Sequence, residues 1–144
     1  MKLSTRTRYG IRAVIELAEG DARKPLQLKL IAQRQDISVK YLEQLMNVLR
    51  TGGIVRSIRG ARGGYILAKP PNQIKLGEVF SCLEGPVITA ECVEDEDYCR
   101  RAADCAARLL WIQVEEAIKN VLDSMTVQDL IDKAKNKKSS DYQI

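Results

Sequence analysis

The apolar pattern of the chain changes period twice within its first seventy residues. From Leu3 to Glu19, Tyr9, Ile11, Ala13, Val14, Ile15, Leu17 and Ala18 recur at helical spacing, leaving Arg6, Arg8, Arg12 and Glu16 mostly on other faces. Gly20-Asp21 ends that helix and Pro25 prevents its resumption. A second, short helix is predicted over about Leu28 to Gln33, with Leu28, Ile31 and Ala32 facing inward. A turn from Arg34 to Ile37 leads to Ser38, whose hydroxyl suits an N-cap. Tyr41 rather than Glu stands three residues on, so the cap is plain and not a capping box. The third helix, Val39 to Thr51, buries Leu42, Leu45, Met46 and Leu49 and exposes Lys40, Tyr41, Glu43, Gln44 and Asn47.

Two short helices joined by so tight a turn form a helix-turn-helix pattern. Ala32 is small where the helices must cross, and Asp36 stands where a turn glycine is usual. An aspartate can visit left-handed space at some cost. After Gly52-Gly53 the period becomes two: Ile54 to Ile58 reads as a strand, Arg59 to Gly64 as a turn, and Tyr65 to Ala68 as a returning strand. A glycine-rich tip carrying Arg59 and Arg62 fits a wing laid on phosphates or in a narrow minor groove. An ordinary surface hairpin is the other reading. Its place directly after a helix-turn-helix favours DNA binding.

Pro70-Pro71 closes the wing, and Leu76, Val79, Phe80 and Leu83 outline a short amphipathic helix ending at Gly85-Pro86, with Cys82 inside it as a buried structural thiol. A long helix is predicted from about Arg101 to Ser124. Leu110, Val114, Ala117 and Val121 form one seam, and Trp111, Ile118 and Met125 lie beside it at seven-residue steps. That face is too broad for a solitary surface helix and points to a homodimer, with packing on its own domain as the alternative. A last helix, Val127 to Lys135, starts from a Thr126 cap. The predicted fold is therefore mainly α with a small β-hairpin wing. A winged helix-turn-helix occupies residues 1–70. A dimerisation and sensor region follows over 71–144, with a cysteine loop at 92–105 and the long helix at about 101–124.

Charge sharpens this picture. The net charge of +4 conceals 14 Lys/Arg against 5 Asp/Glu in residues 1–69, and 9 against 14 in the remainder. A basic half joined to an acidic half places a polyanion at one end only. With 144 residues, 45% of them hydrophobic, the chain can bury most of its apolar surface as one domain. No apolar run is long enough to span a membrane. The charged start, Met1 to Arg6, lacks the apolar segment of a secretory signal, so the expected location is cytoplasmic with reduced thiols. The sequence has no histidine, which removes His-dependent triads, imidazole bases and His-ligated metals. It also shows no P-loop, no GxGxxG and no repeat. A thiol-redox enzyme is the one catalytic alternative, resting on the cysteines alone.

Cys92, Cys99 and Cys105 follow a C-x6-C-x5-C spacing, flanked by Glu91, Glu94, Asp95, Glu96, Asp97 and Asp104. Three thiols so near in sequence can converge on one centre, and iron–sulfur clusters prefer thiolates. Zinc held by three thiolates and an Asp, a metal-free redox switch, and no sensing role at all are the competing readings.

Two segments, Ser38-Val39-Lys40-Tyr41-Leu42-Glu43-Gln44-Leu45 and Ser57-Ile58-Arg59-Gly60-Ala61-Arg62-Gly63-Gly64-Tyr65, closely resemble the IscR/CymR family of bacterial regulators, the Rrf-two superfamily. Met1-Lys2-Leu3-Ser4-Thr5 and Arg8-Tyr9-Gly10 agree, and the similarity runs from residue 1 to about 133. The resemblance implies that the third helix enters the major groove and the wing arginine the minor groove. By position, Tyr41, Glu43 and Gln44 would read bases and Arg59 would be the wing contact, while Ser38, Lys40, Arg56 and Arg62 would help hold phosphates. Gln can bond the adenine edge bidentately and Glu can accept from cytosine, so the chemistry agrees. The same resemblance implies dimerisation of double-stranded-DNA-binding protomers through the long helix. The iron–sulfur branch has a first cysteine spacing one residue shorter and a histidine three residues after the third cysteine. Arg108 stands there in this chain, leaving a carboxylate, the other subunit or an exogenous thiol as fourth ligand.

Leu83-Glu84-Gly85-Pro86-Val87, Leu110-Trp111-Ile112 and Val121-Leu122-Asp123-Ser124 look more like the family's cysteine-metabolism repressors, which act with cysteine synthase. The chain ends Asp141-Tyr142-Gln143-Ile144. The resemblance implies capture of the Ile144 carboxylate by that enzyme, with Tyr142 near the pocket rim. A solvated tail is the alternative.

Overall fold

The computed structural model describes residues 2–141. Helix α1 spans Thr5–Glu19 and starts two residues after the first apolar position, because the Ser4 hydroxyl accepts the Thr7 N–H at 3.1 Å and caps it. Helix α2, Leu28–Gln35, is longer than its short apolar pattern predicts, and α3 spans Val39–Thr51 as expected. Between them Asp36 takes the left-handed conformation, φ 53° and ψ 50°. The Asp36 and Ile37 N–H groups return to the Gln33 and Ala32 carbonyls at 3.3 and 3.1 Å, which ends α2 and aims α3 across it.

Strands β1, Val55–Ile58, and β2, Gly64–Leu67, form an antiparallel pair with Val55 opposite Leu67 and Ile58 opposite Gly64. The hairpin is also pinned from outside. Leu26 and Tyr65 exchange backbone hydrogen bonds at 3.0 and 2.8 Å, so the segment before α2 acts as a short third edge. Gly64 allows this approach: at φ 152° its missing side chain would collide with the Leu26 carbonyl.

Helix α4, Leu76–Glu84, follows a single 3-10 turn at Pro71–Gln73. The cysteine loop is more structured than predicted, with a one-turn helix α5, Glu91–Glu94, and 3-10 turns at Glu96–Tyr98 and Ala102–Asp104. The long helix α6 begins at Ala106 and not near Arg101, because Cys105 adopts an extended backbone and separates the last 3-10 turn from it; α6 ends at Ser124. Helix α7, Val127–Asp141, runs beyond the predicted Lys135. Its start is a reciprocal box: the Thr126 hydroxyl accepts the Asp129 N–H at 3.2 Å, and the Asp129 carboxylate accepts the Thr126 N–H at 2.8 Å. Those bonds hold the Asp129 carboxyl below its usual range.

One core joins both halves. Ala13, Val14, Ile31, Leu42, Leu45, Met46 and Leu49 pack with Ile74, Val79, Leu83, Val127 and Ile131. The α4 end is tied to the α1 start by Glu84, whose carboxylate accepts from the Ser4 hydroxyl at 2.5 Å and from the fully buried Thr7 hydroxyl. Cys82, in α4, is half-buried and donates to the Val48 carbonyl at 3.2 Å; burial pushes its thiol pKa up. This agrees with a structural thiol. Among the described residues, no helix is long and apolar enough to cross a membrane.

Candidate nucleic-acid interface

Helix α3 sits on the core through Leu42, Leu45, Met46 and Leu49. That stripe fixes its rotation, so Lys40, Glu43, Gln44 and Asn47 must face solvent, and they do. Ser38 caps the helix by accepting the Tyr41 N–H at 3.1 Å and is itself exposed. Tyr41 corrects the sequence reading. It is half-buried and meets Tyr9 of α1 edge-on, with ring centroids 6.3 Å apart at 87°, because its place in the helix turns it toward α1. Arg12 completes the stack, its guanidinium carbon 5.3 Å from the Tyr9 centroid.

The hairpin leaves the end of α3 directly. The Ile54 N–H bonds to the Leu49 carbonyl at 2.9 Å, and the Ala68 N–H to the Ile54 carbonyl at 2.9 Å, so the strands are stitched to the helix. Arg56, Arg59 and Arg62 are all exposed on this hairpin. Its tip turns at Gly60, φ 114°, and closes with the Gly63 N–H on the Gly60 carbonyl at 2.9 Å. Among the described residues, Lys40, Arg56, Arg59 and Arg62 take part in no ion pair. Arg34, by contrast, is 3.1 Å from Glu16, whose other oxygen accepts from Gln35 at 2.8 Å, fastening α2 to α1. The α3 and wing cations Lys40, Arg56, Arg59 and Arg62 are thus exposed and uncommitted to carboxylates among the described residues. Sequence reading missed Tyr9, Arg12 and Arg50, since a helix pattern shows which face is apolar but not which neighbour that face meets. The Tyr residues near both helix starts were the only available hint.

A second surface lies along α6. Glu115 is its one buried residue. Leu110, Trp111 and Val121 are 52%, 41% and 54% exposed, Ala117 is exposed, and Val114 and Ile118 are half-buried. So the predicted seam stands open. Beside it runs a groove of about 760 Å³, whose walls include Leu3, Phe80, Ile88 and Ile118.

The cysteine loop is clasped to α6 at two points. Arg108 donates from Nε to the Cys92 carbonyl at 2.8 Å and from Nη2 to Glu96 at 2.9 Å. Glu115 accepts the Thr89 N–H at 3.2 Å and pairs with Lys119 at 2.6 Å, while the Thr89 hydroxyl donates to the Trp111 carbonyl at 3.0 Å. The Lys119 bond, followed by the Thr89 bonds, draws the Glu115 carboxyl below its usual range against the cost of burial.

The thiols themselves are not assembled. Cys99 is exposed and Cys92 and Cys105 are half-buried, and among the described residues no three cysteine or carboxylate side chains gather at metal-binding range. Arg108 offers no lone pair at the position implied for a fourth ligand. As arranged, this donor set fits neither an iron–sulfur cluster nor zinc. Tyr142 and Ile144, expected to dock a partner, lie outside the described residues.

Comparison with known proteins agrees with this architecture. Residues 3–133 match the family model described as Rrf2, iron-dependent transcriptional regulator. The chain is 46% identical over 130 residues to the HTH-type transcriptional regulator CymR of Bacillus subtilis, covering 90% of this chain and 89% of that protein. The solved structure of B. subtilis CymR, the global cysteine regulator, superposes with a TM-score of 0.77 at 45% identity, over 90% of this chain and 95% of that one. The T. potens IscR structure gives a TM-score of 0.75 at 40% identity, covering 93% and 88%. The winged helix-turn-helix, the unpaired cations beside it and this near full-length similarity place the chain in the Rrf2 family of transcriptional regulators.

Proposed function

We propose that the protein is a homodimeric, sequence-specific DNA-binding regulator acting as a repressor, with residues 1–70 holding the duplex and residues 71–144 forming the dimer and the sensor. The observation that carries this reading is the exposed α3 face beside an arginine-bearing wing whose cations, among the described residues, have no carboxylate partners. Glu43 and Gln44 read base edges in the major groove, with Tyr41 reaching the same groove from its stack on Tyr9. Arg59 enters the minor groove, and Ser38, Lys40, Arg56 and Arg62 position the backbone. The open seam of Leu110, Trp111, Val114, Ala117, Ile118 and Val121 supports dimerisation, and two-fold symmetry gives two half-sites about a helical turn apart. Duplexes selected from a random pool test the reading. A palindromic consensus is expected, with Gln44→Ala relaxing one base position by roughly 1–3 kcal/mol of discrimination and Arg59→Ala weakening binding. Failure of the intact protein to enrich any sequence rejects it.

The sensor in this reading is the loop of Cys92, Cys99 and Cys105, bound to the dimer helix through Arg108 and Glu115. A change in the loop shifts α6, and with it the half-site spacing, by population shift. In this reading the loop is a metal-free thiol sensor, with Cys99 its exposed thiol. A second reading is favoured by the similarity to a global cysteine regulator: control of cysteine metabolism through a complex with cysteine synthase, which would capture the Ile144 carboxylate. Deleting Ile144 should abolish co-purification with that enzyme, and unchanged binding rejects it.

A further inference from the structure

Arg50, Arg56 and Arg59 line one cleft of about 540 Å³ between the end of α3 and the wing, together with Gly53, Val55, Ser57 and Ala68. No carboxylate lines this cleft, and among the described residues none of its three arginines is in an ion pair. Arg50 lies in the last turn of α3, where a cation complements the helix carbonyls. That accounts for Arg50 alone. It does not account for two hairpin arginines on the same cleft, because like charges held together raise each other's energy unless an anion neutralises them.

We propose that this cleft is a phosphodiester-binding site in which Arg50 joins Arg56 as a phosphate contact, with Arg59 left to the minor groove; it rests on the DNA-binding reading above and extends it. Guanidinium groups match phosphate oxygens in a bidentate fork, and the Ser57 hydroxyl supplies an additional donor. Phosphate chemistry can come from a nucleic-acid backbone or from a free anion. All three arginines are exposed, so the cleft opens to solvent rather than enclosing its contents. A site of that shape suits a polymer running through it more than a small ion, which needs enclosure.

The test measures duplex affinity of the full-length protein across a salt series, on the selected operator and on a scrambled duplex. Arg50→Gln removes the charge while keeping a polar side chain and a similar helix propensity. It should lower the slope of log affinity against log salt by about 0.9 for each phosphate released, weakening both duplexes by similar factors. Arg50→Lys should retain the slope, and Arg34→Ala, which removes an arginine already paired with Glu16, should not change it. An unchanged slope in Arg50→Gln overturns the proposal, while loss of base preference in Gln44→Ala in the same series leaves the regulator reading standing. Inorganic pyrophosphate is the second arm. It should neither raise the melting temperature nor compete with duplex at millimolar concentration, and tight pyrophosphate binding abolished by Arg50→Gln would reassign the cleft to a free anion. Should Arg50→Gln melt early, Arg50→Met, uncharged and of high helix propensity, takes its place in the slope measurement with the same deciding outcomes.

Discussion

At the scale of single residues, the fold accepts local cost where the site needs a direction. Asp36 holds a left-handed conformation that turns α2 into α3 and so aims the recognition face. Glycine has no such penalty, and Asp36→Gly should raise stability by about 1 kcal/mol while duplex affinity stays unchanged; thermal melts and titrations check both. Tyr9 holds Tyr41 by its ring rather than by its hydroxyl. Tyr9→Phe should therefore preserve operator affinity, whereas Tyr9→Leu should lower it and flatten the preference at the base Tyr41 faces. Three carboxylates carry pH sensitivity: Asp129 in the α7 cap, Glu84 and Glu115. Glu84 is held low first by the Ser4 hydroxyl and Glu115 first by Lys119. A depressed folded-state pKa means stability that is present above the ordinary glutamate value, about 4.3, and lost as pH falls through the lowered one. Glu84→Gln and Glu115→Gln should each flatten the stability profile in that acid window. With no histidine in the sequence, no imidazole adds a slope between pH 5 and 8.

At the scale of elements, α6 is the part the monomer leaves unfinished. Leu122 packs this 19-residue helix against the core, but Leu109, Leu110, Trp111 and Val121 stand exposed, so its own chain covers only one side of it. Val121→Lys, placing a charge on the open seam, should convert the dimer to monomer in sedimentation equilibrium and abolish tight operator binding. Affinity for a single half-site should remain weak but measurable. A stable dimer in this variant would remove α6 as the interface. The wing is an element of the opposite kind. It is bonded to α3 at its root and to Leu26 at its edge, so its arginines are presented on a braced support. Bracing reduces the ordering cost that a loose loop would incur on binding.

At the scale of the whole molecule, the cysteine loop, α6 and the winged helix-turn-helix share continuous packing. The loop reaches α6 through Arg108 and Thr89, α6 adjoins α4, and α4 shares its core with α1 and α3. Arg108 also bears on the cysteines, since it ties the Cys92 backbone and Glu96 to α6 while offering no lone pair as a ligand. Anaerobic iron–sulfide reconstitution of the wild-type protein is expected to give no charge-transfer absorbance. Bands that disappear on Cys→Ala at positions 92, 99 and 105 would contradict this and restore the cluster.

Local chemistry was enough to place both strands and every α-helix except the one-turn α5, because apolar period, caps and glycines act within a few residues of one another. Ser4, Ser38 and Thr126 start helices where their side chains can capture a free N–H, and Leu42, Leu45, Met46 and Leu49 settle which side of α3 faces out. The candidate DNA face was legible for the same reason. What only the tertiary structure decided are the meetings between distant segments: Tyr41 on Tyr9, Arg50 beside Arg56 and Arg59, Glu115 on Thr89, and three cysteines near in sequence yet separate in space. Spacing along a chain limits how far apart two groups can be. Whether they actually meet depends on turns and packing that no single stretch of sequence contains.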